Sequence, residues 1–253
     1  MIDVPQVSVV MSCYNASKTL AEATDSILKQ TFRDFEFIIV DDGSADNTLE
    51  ILKKYQQDDN RISIIANNHN LGLAASLNVG IKSAKALLIA RMDADDIAFP
   101  NRLEEQVDFL RQYPNVDILG TGIIQMTQMG EKESSRLLPE HHTDIVKRIF
   151  RKPLVFHPTI MARKKIYDNL GMYDPDIRWA EDADLWYRIY DKATFHNLQK
   201  PLLYYRVKKQ FKLRHAKHNL KVKIKNLRNR GLILRYSPQL VYDGINFCRK
   251  MIL

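Results

Sequence analysis

The first hundred residues alternate short apolar runs with amphipathic stretches, which is the pattern of strands followed by helices. The apolar runs predict strands over residues 7–11, 35–40, 61–66 and 87–92. Between them, apolar residues recur at three- and four-residue steps. This spacing predicts helices from an N-cap at Ser17 to about Lys29, after an N-cap at Asp46, and over 71–83. The alternation is typical of a parallel sheet with helices on both faces.

After residue 100 the alternation is less regular. The pattern predicts helices over 102–113 and 183–190, a polar stretch with one short helix over 131–150, and strands over 117–126, 158–162, 195–198 and 202–207. No internal repeat and no low-complexity linker separates these elements. We therefore expect one α/β domain over residues 1–206.

The last segment, residues 207–253, has a different pattern. Basic residues occupy most positions between apolar residues that recur at helical steps, namely Leu213, Ala216, Leu220, Ile224 and Leu227. This spacing predicts a basic amphipathic helix that ends near Gly231. Such a helix lies in the interface of a membrane or packs its apolar stripe on the protein, and the two arrangements are compatible.

Charge divides the chain near the same place. The 253 residues carry a formal net charge of +8. Residues 192–253 hold 16 of the 38 Lys and Arg residues and one acidic residue, so the preceding part is net acidic. A basic segment on an acidic body indicates an anionic partner. We expect an anionic membrane surface bound through residues 208–235; the alternatives are a nucleic acid and a solvated face that only aids solubility.

Composition excludes several classes of protein. Apolar residues make up 45% and charged residues 27% of the chain, which excludes a disordered or fibrous protein. Cys13 and Cys248 form neither a metal-type spacing nor a disulfide framework, so a reducing cytosol is expected. The N-terminus lacks the basic region of a signal peptide, and no apolar stretch has the length of a transmembrane helix.

Acidic residues follow two of the predicted strands. Asp41 and Asp42 end the second strand, and Asp93, Asp95 and Asp96 end the fourth. In a parallel sheet these ends meet at one edge, where ligands bind. Because like charges repel, the group needs a cation or hydrogen-bond donors. An Asp-x-Asp pair supplies oxygen ligands for Mg²⁺ or Mn²⁺, and such ions usually also bind substrate phosphates.

Glycine-rich phosphate loops are missing from the sequence. No G-x-G-x-x-G follows a predicted strand, and no G-x-x-x-x-G-K-S/T occurs. This excludes dinucleotide oxidoreductases and P-loop NTPases.

A third acidic group lies between two tryptophans. Glu181, Asp182 and Asp184 are flanked by Trp179 and Trp186. Acids in the first turn of a helix interact favourably with its dipole, so one interpretation is a helix start. The other is a general base held beside an aromatic platform that stacks on a sugar ring. The residues alone leave both open.

Six segments, in this order, resemble the family 2 glycosyltransferases. They read VSVVMSCYN, IIVDDGSADNT, NLGLAASLNVG, ARMDADDI, PNRLE and WAEDADLW. Each is weak alone, but the ordered set is specific, and the similarity spans about residues 5–206. It implies the GT-A fold, which is Rossmann-like with a mainly parallel sheet and helices on both faces. Residues 207–253 would then be a basic helical extension.

The resemblance implies roles for individual residues. Tyr14 and Asn15 would line the nucleotide pocket, Asp42 would accept a hydrogen bond from the base, and Asp93 would lie near the ribose. Asp95 would bind a Mn²⁺ or Mg²⁺ ion that bridges the diphosphate. The catalytic base would be Asp182. Further candidates for the site are Asp41, Asp96, His157, Trp179, Glu181 and Lys208.

One segment departs from the family pattern. The family often has Tyr-Arg-x-His after its last core strand, and that His helps to hold the metal or the diphosphate. Here the sequence reads Tyr205, Arg206, Val207, Lys208. A charged lysine does not ligate a metal, although it can neutralise a diphosphate. The metal ligands beyond Asp95 are therefore not predicted.

The function implied by the resemblance is that of a metal-dependent, inverting glycosyltransferase. It would move a sugar from a nucleotide-diphosphate sugar, preferably a UDP-sugar, to a hydroxyl of a glycan or lipid-linked acceptor. The expected setting is lipopolysaccharide or capsule assembly at the cytoplasmic face of the plasma membrane, with no nucleic acid as partner. The alternative is an inactive protein that binds a nucleotide-sugar, or a nucleic acid through its basic tail.

Overall fold

A computed structural model describes residues 4–151, 153–207, 213–236, 240 and 243. The helices are α1 Leu20–Leu28, α2 Thr48–Asp58, α3 Leu73–Ser83, α4 Arg102–Gln112, α5 His142–Val146, α6 Lys165–Leu170, α7 Glu181–Ile189 and α8 Leu213–Asn229, with a 3-10 turn at His157–Thr159. The strands are β1 Val7–Cys13, β2 Phe35–Asp41, β3 Ile62–Ala66, β4 Leu88–Asp93, β5 Ile97–Ala98, β6 Ile118–Met126, β7 Lys132–Arg136, β8 Met161–Arg163 and β9 Phe195–Arg206.

Within these residues the strands form one sheet, in the order β3-β2-β1-β4-β8-β6-β9-β5, with β7 paired to β6. The first four neighbours are parallel, as the sequence predicts. Further along, β8 is antiparallel to both β4 and β6, whereas β9 is parallel to β6. The α/β prediction is thus confirmed. The second half of the sheet is mixed, and there the chain lacks the regular strand–helix alternation that predicts parallel pairing.

The core lies on both faces of this sheet. Alternate residues of β1 point to opposite faces, as strand geometry requires. Val9 and Met11 pack with residues of α1, α2 and α4 on one face, while Val10 packs with residues of α3, α5, α6 and α7 on the other. The helices therefore cover both faces and leave the carboxyl ends of β1, β2 and β4 at an edge.

Several predicted elements differ in the structure. Thr19, not Ser17, occupies the N-cap position of α1, because the Ser17 N–H donates to the Asp46 carboxylate in the next connection. Strand β7 lies in the predicted polar stretch, and all five of its residues are exposed, so it has no apolar alternation to detect. The two predicted closing strands are one strand, β9, which continues through Pro201 with shifts in register.

Helix α8 packs against α7. Val222 and Leu227 are buried, and the Asn226 side chain donates to Asp184 of α7 at 3.0 Å. Ile224, from the predicted apolar stripe, is 39% exposed. The helix thus packs part of its apolar surface on the protein. In the described part of the chain, none of the helices combines the length and hydropathy needed to cross a bilayer.

Candidate active site

The two acidic segments lie at the same edge of the sheet. Asp41 of β2 pairs in register with Cys13 of β1, and Asp93 of β4 pairs with Ser12. Because β1 lies between β2 and β4, two strand spacings of roughly 10 Å in total separate the segments. The five predicted carboxylates thus share one edge but form two groups.

Asp41 and Asp42, the first group, accept hydrogen bonds from neighbouring loops. Asp42 is buried, and its Oδ1 accepts hydrogen bonds from the Leu71 N–H at 2.8 Å and the Asn67 side-chain amide at 2.9 Å. Its Oδ2 accepts one from the Gly72 N–H at 2.9 Å. A carboxylate has about four acceptor positions, so one position on Oδ2 is left. Asp42 therefore fastens the loop before α3 and keeps limited capacity for a further donor.

The loops after β1 and β2 hold each other. Asn15 has a left-handed backbone with φ of 50°, and its side-chain oxygen accepts from the Ala45 N–H at 2.8 Å. The Asn15 N–H donates to the Ser44 hydroxyl, which in turn donates to Asp41. The Tyr14 ring beside this loop is 50% exposed. An open aromatic surface thus stands next to a fixed loop at the sheet edge.

The second group is a compact acidic cluster. Carboxylate oxygens of Asp93, Asp95 and Asp96 lie within 4.8 Å of one another. Asp96 is buried, and its Oδ2 has no hydrogen-bond partner in the part of the chain that the structure describes. Burial and the charges of Asp93 and Asp95 raise the pKa of Asp96 well above its ordinary value. These oxygens fit a hard divalent cation, which would relieve their repulsion.

Arg206, at the end of β9, fastens this cluster. Its N–H donates to Asp96 Oδ1 and its Nε donates to the Asp95 carbonyl, both at 2.8 Å. Its Nη2 also binds Glu22 of α1 at 2.8 Å. A buried guanidinium with several partners has little freedom to move. The connection after β4 is thus tied to β9 and α1.

A second buried arginine lies between the acidic cluster and α7. Arg91 of β4 is 4% exposed, and its Nη2 donates to Asp93. Its Nε and Nη1 have no hydrogen-bond partner among the described residues. Burial raises the pKa of Asp96, Glu181 and Asp182, and the Arg91 charge acts against that rise on all three. Arg91 therefore pairs with one acid of β4, and its charge also acts on the acids of α7.

Helix α7 begins with the third acidic group. Ala180 precedes it in a left-handed conformation with φ of 68°, which costs roughly 1–2 kcal/mol for an L-residue. Glu181 is 8% exposed, whereas the adjacent Asp182 is half-buried. Burial and Asp182 raise the pKa of Glu181 to about 7, and burial raises that of Asp182. Asp182 is thus the more accessible of two carboxylates with raised pKa values.

His157 belongs to the buried surroundings of Glu181. Its Nδ1 lies 3.8 Å from Glu181 Oε1, which exceeds hydrogen-bond distance. Its Nε2 lies 2.7 Å from the Tyr173 hydroxyl. Burial lowers the pKa of His157 well below its ordinary value, so the ring is neutral. A neutral, buried imidazole supports α7 from the protein interior.

The tryptophans around α7 differ in exposure. Trp179 is half-buried, and its ring centroid lies 4.7 Å from that of His218 on α8. Trp186 is 3% exposed and is part of the core, so Trp179 is the tryptophan accessible to a ligand. The predicted site residue Lys208 lies outside the described residues.

Both arginines lie in segments that resemble the family, but the sequence did not predict their roles in organising the site. Arg91 is the one charged residue within the predicted strand 87–92. A lone basic residue in a buried strand requires a compensating charge, so this signal was present. Arg206 stands in the segment compared with Tyr-Arg-x-His, but its contacts with the Asp95 carbonyl and the Asp96 carboxylate depend on where β9 ends relative to β4.

Comparison with known proteins identifies the family. Residues 8–171 match the sequence model of Glycosyl transferase family 2. EpsE of Bacillus subtilis (strain 168) is 40% identical over 203 residues, which cover 78% of this chain and 72% of EpsE. The O-antigen biosynthesis glycosyltransferase WbnJ of Escherichia coli is 35% identical over 208 residues, which cover 79% of each chain.

Solved structures share the fold. Residues 1–349 of S. aureus TarS in complex with UDP superpose with a TM-score of 0.69 at 22% identity, covering 88% of this chain and 66% of that one. The mannosyltransferase PcManGT of Pyrobaculum calidifontis, in complex with GDP-Man and Mn²⁺, gives 0.69 at 18% identity, covering 96% and 74%. The fold is therefore GT-A, and the chain belongs to glycosyl transferase family 2.

Proposed function

We propose that the chain transfers a sugar from a nucleotide-diphosphate sugar, preferably a UDP-sugar, to a hydroxyl of a growing surface glycan such as lipopolysaccharide or capsule. The transfer would invert the anomeric carbon. WbnJ is named for O-antigen biosynthesis, which supports the acceptor class. The TarS structure holds UDP, which supports the donor class.

The observation that carries this proposal is the presence of two carboxylate groups in different surroundings, both of which feel the charge of the buried Arg91. One group is crowded, lies at a strand end and contains a buried oxygen without a partner. The other begins a helix and offers the half-buried Asp182 with a raised pKa. The first suits a diphosphate-bound cation, and the second suits a single proton acceptor. The proposed metal-dependent, inverting transfer uses both.

Asp182 acts as the general base. Its carboxylate takes the proton of the acceptor hydroxyl while that oxygen bonds to the anomeric carbon and the carbon–oxygen bond to the diphosphate breaks. A base on the side opposite the leaving group gives a single in-line displacement, and hence inversion. Such assistance typically contributes roughly 10²–10⁴-fold to the rate. His157 packs against Trp186 of α7, and the charge of Arg91 lowers the pKa of the base.

Asp95, with Asp93 and Asp96, would hold Mn²⁺ or Mg²⁺. Their oxygens are the donors that such ions prefer. When bound, the ion offsets the charge that develops on the departing diphosphate. Arg206 positions two of these three aspartates through its bonds to the Asp96 carboxylate and the Asp95 carbonyl. The PcManGT complex contains Mn²⁺, which supports this assignment.

The nucleotide would lie along the edge formed by the carboxyl ends of β2, β1 and β4. Tyr14 offers its exposed ring, and Asn15 fixes the loop beside it. Asp42 has one acceptor position left for a base N–H, and Asp93 would lie near the ribose. Asp41, bonded to Ser44, supports the loop. Trp179 would face the acceptor sugar.

The first experiment is donor hydrolysis over UDP-, GDP-, dTDP- and CMP-sugars, with Mn²⁺ or Mg²⁺ and with EDTA. We expect turnover of one donor, lost with EDTA and in Asp95→Ala. Turnover that persists with EDTA would contradict the assigned metal. No turnover and no nucleotide binding by calorimetry would contradict the proposed function and favour an inactive protein.

We also propose that residues 1–206 form the catalytic domain and that the extension 207–253 holds it at the inner face of the plasma membrane. The exposed side chains of Lys221 and Arg228 on α8 support contact with anionic lipid, at about 1 kcal/mol for each basic residue.

Flotation with vesicles that contain phosphatidylglycerol tests whether this extension binds a membrane. Lys221→Glu with Arg228→Glu should abolish binding, and Lys53→Glu with Lys54→Glu on α2 is the matched control. Unchanged flotation of the α8 variant would contradict it.

A further inference from the structure

Three side chains that can ligate a metal lie together outside the acidic edge. Glu140 and His141 precede α5, and His196 is the second residue of β9. One ligand atom from each lies within 4.8 Å of the others. His196 Nε2 is 3.7 Å from Glu140 Oε1, and His141 Nε2 is 4.0 Å from Glu140 Oε2.

The backbone that carries these residues is fixed on both sides. His141 and His196 form an isolated antiparallel bridge, and the Asn197 N–H donates to the Glu140 carbonyl at 2.9 Å. The His196 ring also stacks on Phe109 with centroids 4.6 Å apart. The position of His196 is therefore set before any ligand binds. The exposed Glu140 and His141 side chains need only small rotations to converge with it.

This cluster is remote from the acidic edge. His196 lies near the start of β9, whereas Arg206, which binds Asp96, ends the same strand. Ten residues of strand span about 30 Å. A metal bound by the cluster would therefore not take part in sugar transfer.

The ligand chemistry also differs from that of the acidic cluster. Two imidazoles and one carboxylate suit Zn²⁺ and similar transition metals, whereas all-oxygen sites suit Mg²⁺ and Mn²⁺. Tetrahedral zinc separates its ligand atoms by about 3.4 Å, so the observed separations require only modest closure.

We propose that Glu140, His141 and His196 bind one zinc ion, which fastens the segment before α5 to β9. Three protein ligands leave the fourth position of a tetrahedral ion for water. The site would stabilise the end of the sheet opposite the acidic edge. It does not depend on the proposed transfer reaction.

Zinc binding to the full chain, purified without a histidine tag, tests this proposal. Zinc binding is measured by competition with a chromogenic chelator. Millimolar Mg²⁺ in the buffer occupies the acidic cluster, so that the chelator reports zinc bound elsewhere. We expect one zinc equivalent, and a loss of affinity of about tenfold or more in His141→Ala and in His196→Ala. His69→Ala removes another exposed histidine and should bind zinc as the unmodified chain does.

Two further measurements separate the site from general effects of substitution. Co²⁺ in a tetrahedral site with two histidines gives visible absorption, which should disappear in His141→Ala while its circular dichroism stays unchanged. Zinc should raise the melting temperature of the unmodified chain but not that of Glu140→Gln. If the unmodified chain binds no zinc, or the His141→Ala, His196→Ala double variant retains full affinity, the proposal is wrong.

Discussion

The acids that follow β4 and the acids that begin α7 are held in different ways. Asp93, Asp95 and Asp96 are crowded together by strand topology and fastened by Arg206. Glu181 and Asp182 are placed by a helix whose start is strained at Ala180 and supported by distant segments. Crowding makes the first group a receptor for positive charge. Burial, which raises the pKa values of both carboxyls, makes the second group a receptor for a proton.

Arg91 is common to both groups. It donates to Asp93, and its charge opposes the effect of burial on Glu181 and Asp182. One buried cation thus serves two sites with different chemistry. Substitutions in each acidic group, and then of Arg91, should therefore have different effects.

Removing the proton acceptor should have the largest effect. Asp182→Asn keeps the size of the side chain but cannot take a proton, so we expect kcat to fall roughly 10²–10⁴-fold. Mn²⁺ affinity, measured by calorimetry, should stay unchanged because the acidic cluster is intact. The exposed Asp176→Asn, on the loop before α7, is the control. If Asp182→Asn lowered Mn²⁺ affinity as much as Asp95→Ala does, the acids that follow β4 and the acids that begin α7 would not act independently.

Removing a metal ligand should lower the affinity for Mn²⁺ and leave the pKa of the base unchanged. In Asp95→Ala we expect Mn²⁺ affinity to fall by about tenfold or more, with activity recovered in part at high Mn²⁺. The acid limb of the pH profile should keep its position, since Asp182 is untouched. A shift of that limb together with the loss of Mn²⁺ would contradict the division of roles.

Removing Arg91 should change the pKa of Asp182, because the positive charge of Arg91 is lost. Arg91→Met leaves an apolar side chain of similar length, so burial of the α7 acids is no longer opposed by a cation. Activity requires ionised Asp182, and it is lost as pH falls through the pKa of that group. We expect the acid limb of kcat to move to higher pH in Arg91→Met and to move less in Arg91→Lys. Identical limbs in all three proteins would show that Arg91 acts only in packing.

Substitution of Glu181 should change stability and not activity. Burial raises the pKa of Glu181 from 4.5 to about 7, so ionisation of Glu181 opposes folding as pH rises from the lower value to the higher. At pH 8, Glu181→Gln should therefore have a free energy of unfolding that is higher by about 3 kcal/mol, and it should unfold at a higher denaturant concentration. The difference in stability should vanish below pH 4.5, where Glu181 is protonated in both the folded and the unfolded state. An advantage that is the same at every pH would assign it to packing.

Sequence patterns predicted the parallel half of the sheet and the acids at its edge. They did so because buried strands are apolar and because the ends of parallel strands meet. They did not predict β7, whose residues are all exposed, or the continuity of β9 through Pro201. The contacts of Arg206 and the burial of Glu181 were also missed, since both depend on residues far apart in the chain. The roles of Asp42, Asp95 and Asp182 stay predictions.

The packing of α8 on α7 also has a consequence for the order in which the protein is made. A ribosome completes every strand of the described sheet before it reaches residue 213. Asn226 and Leu227, which contact or pack with α7, emerge later still. A nascent chain can thus assemble its sheet and acidic edge while the helix that carries Asp182 still lacks its outer support. Maturation of the site would follow translation of α8.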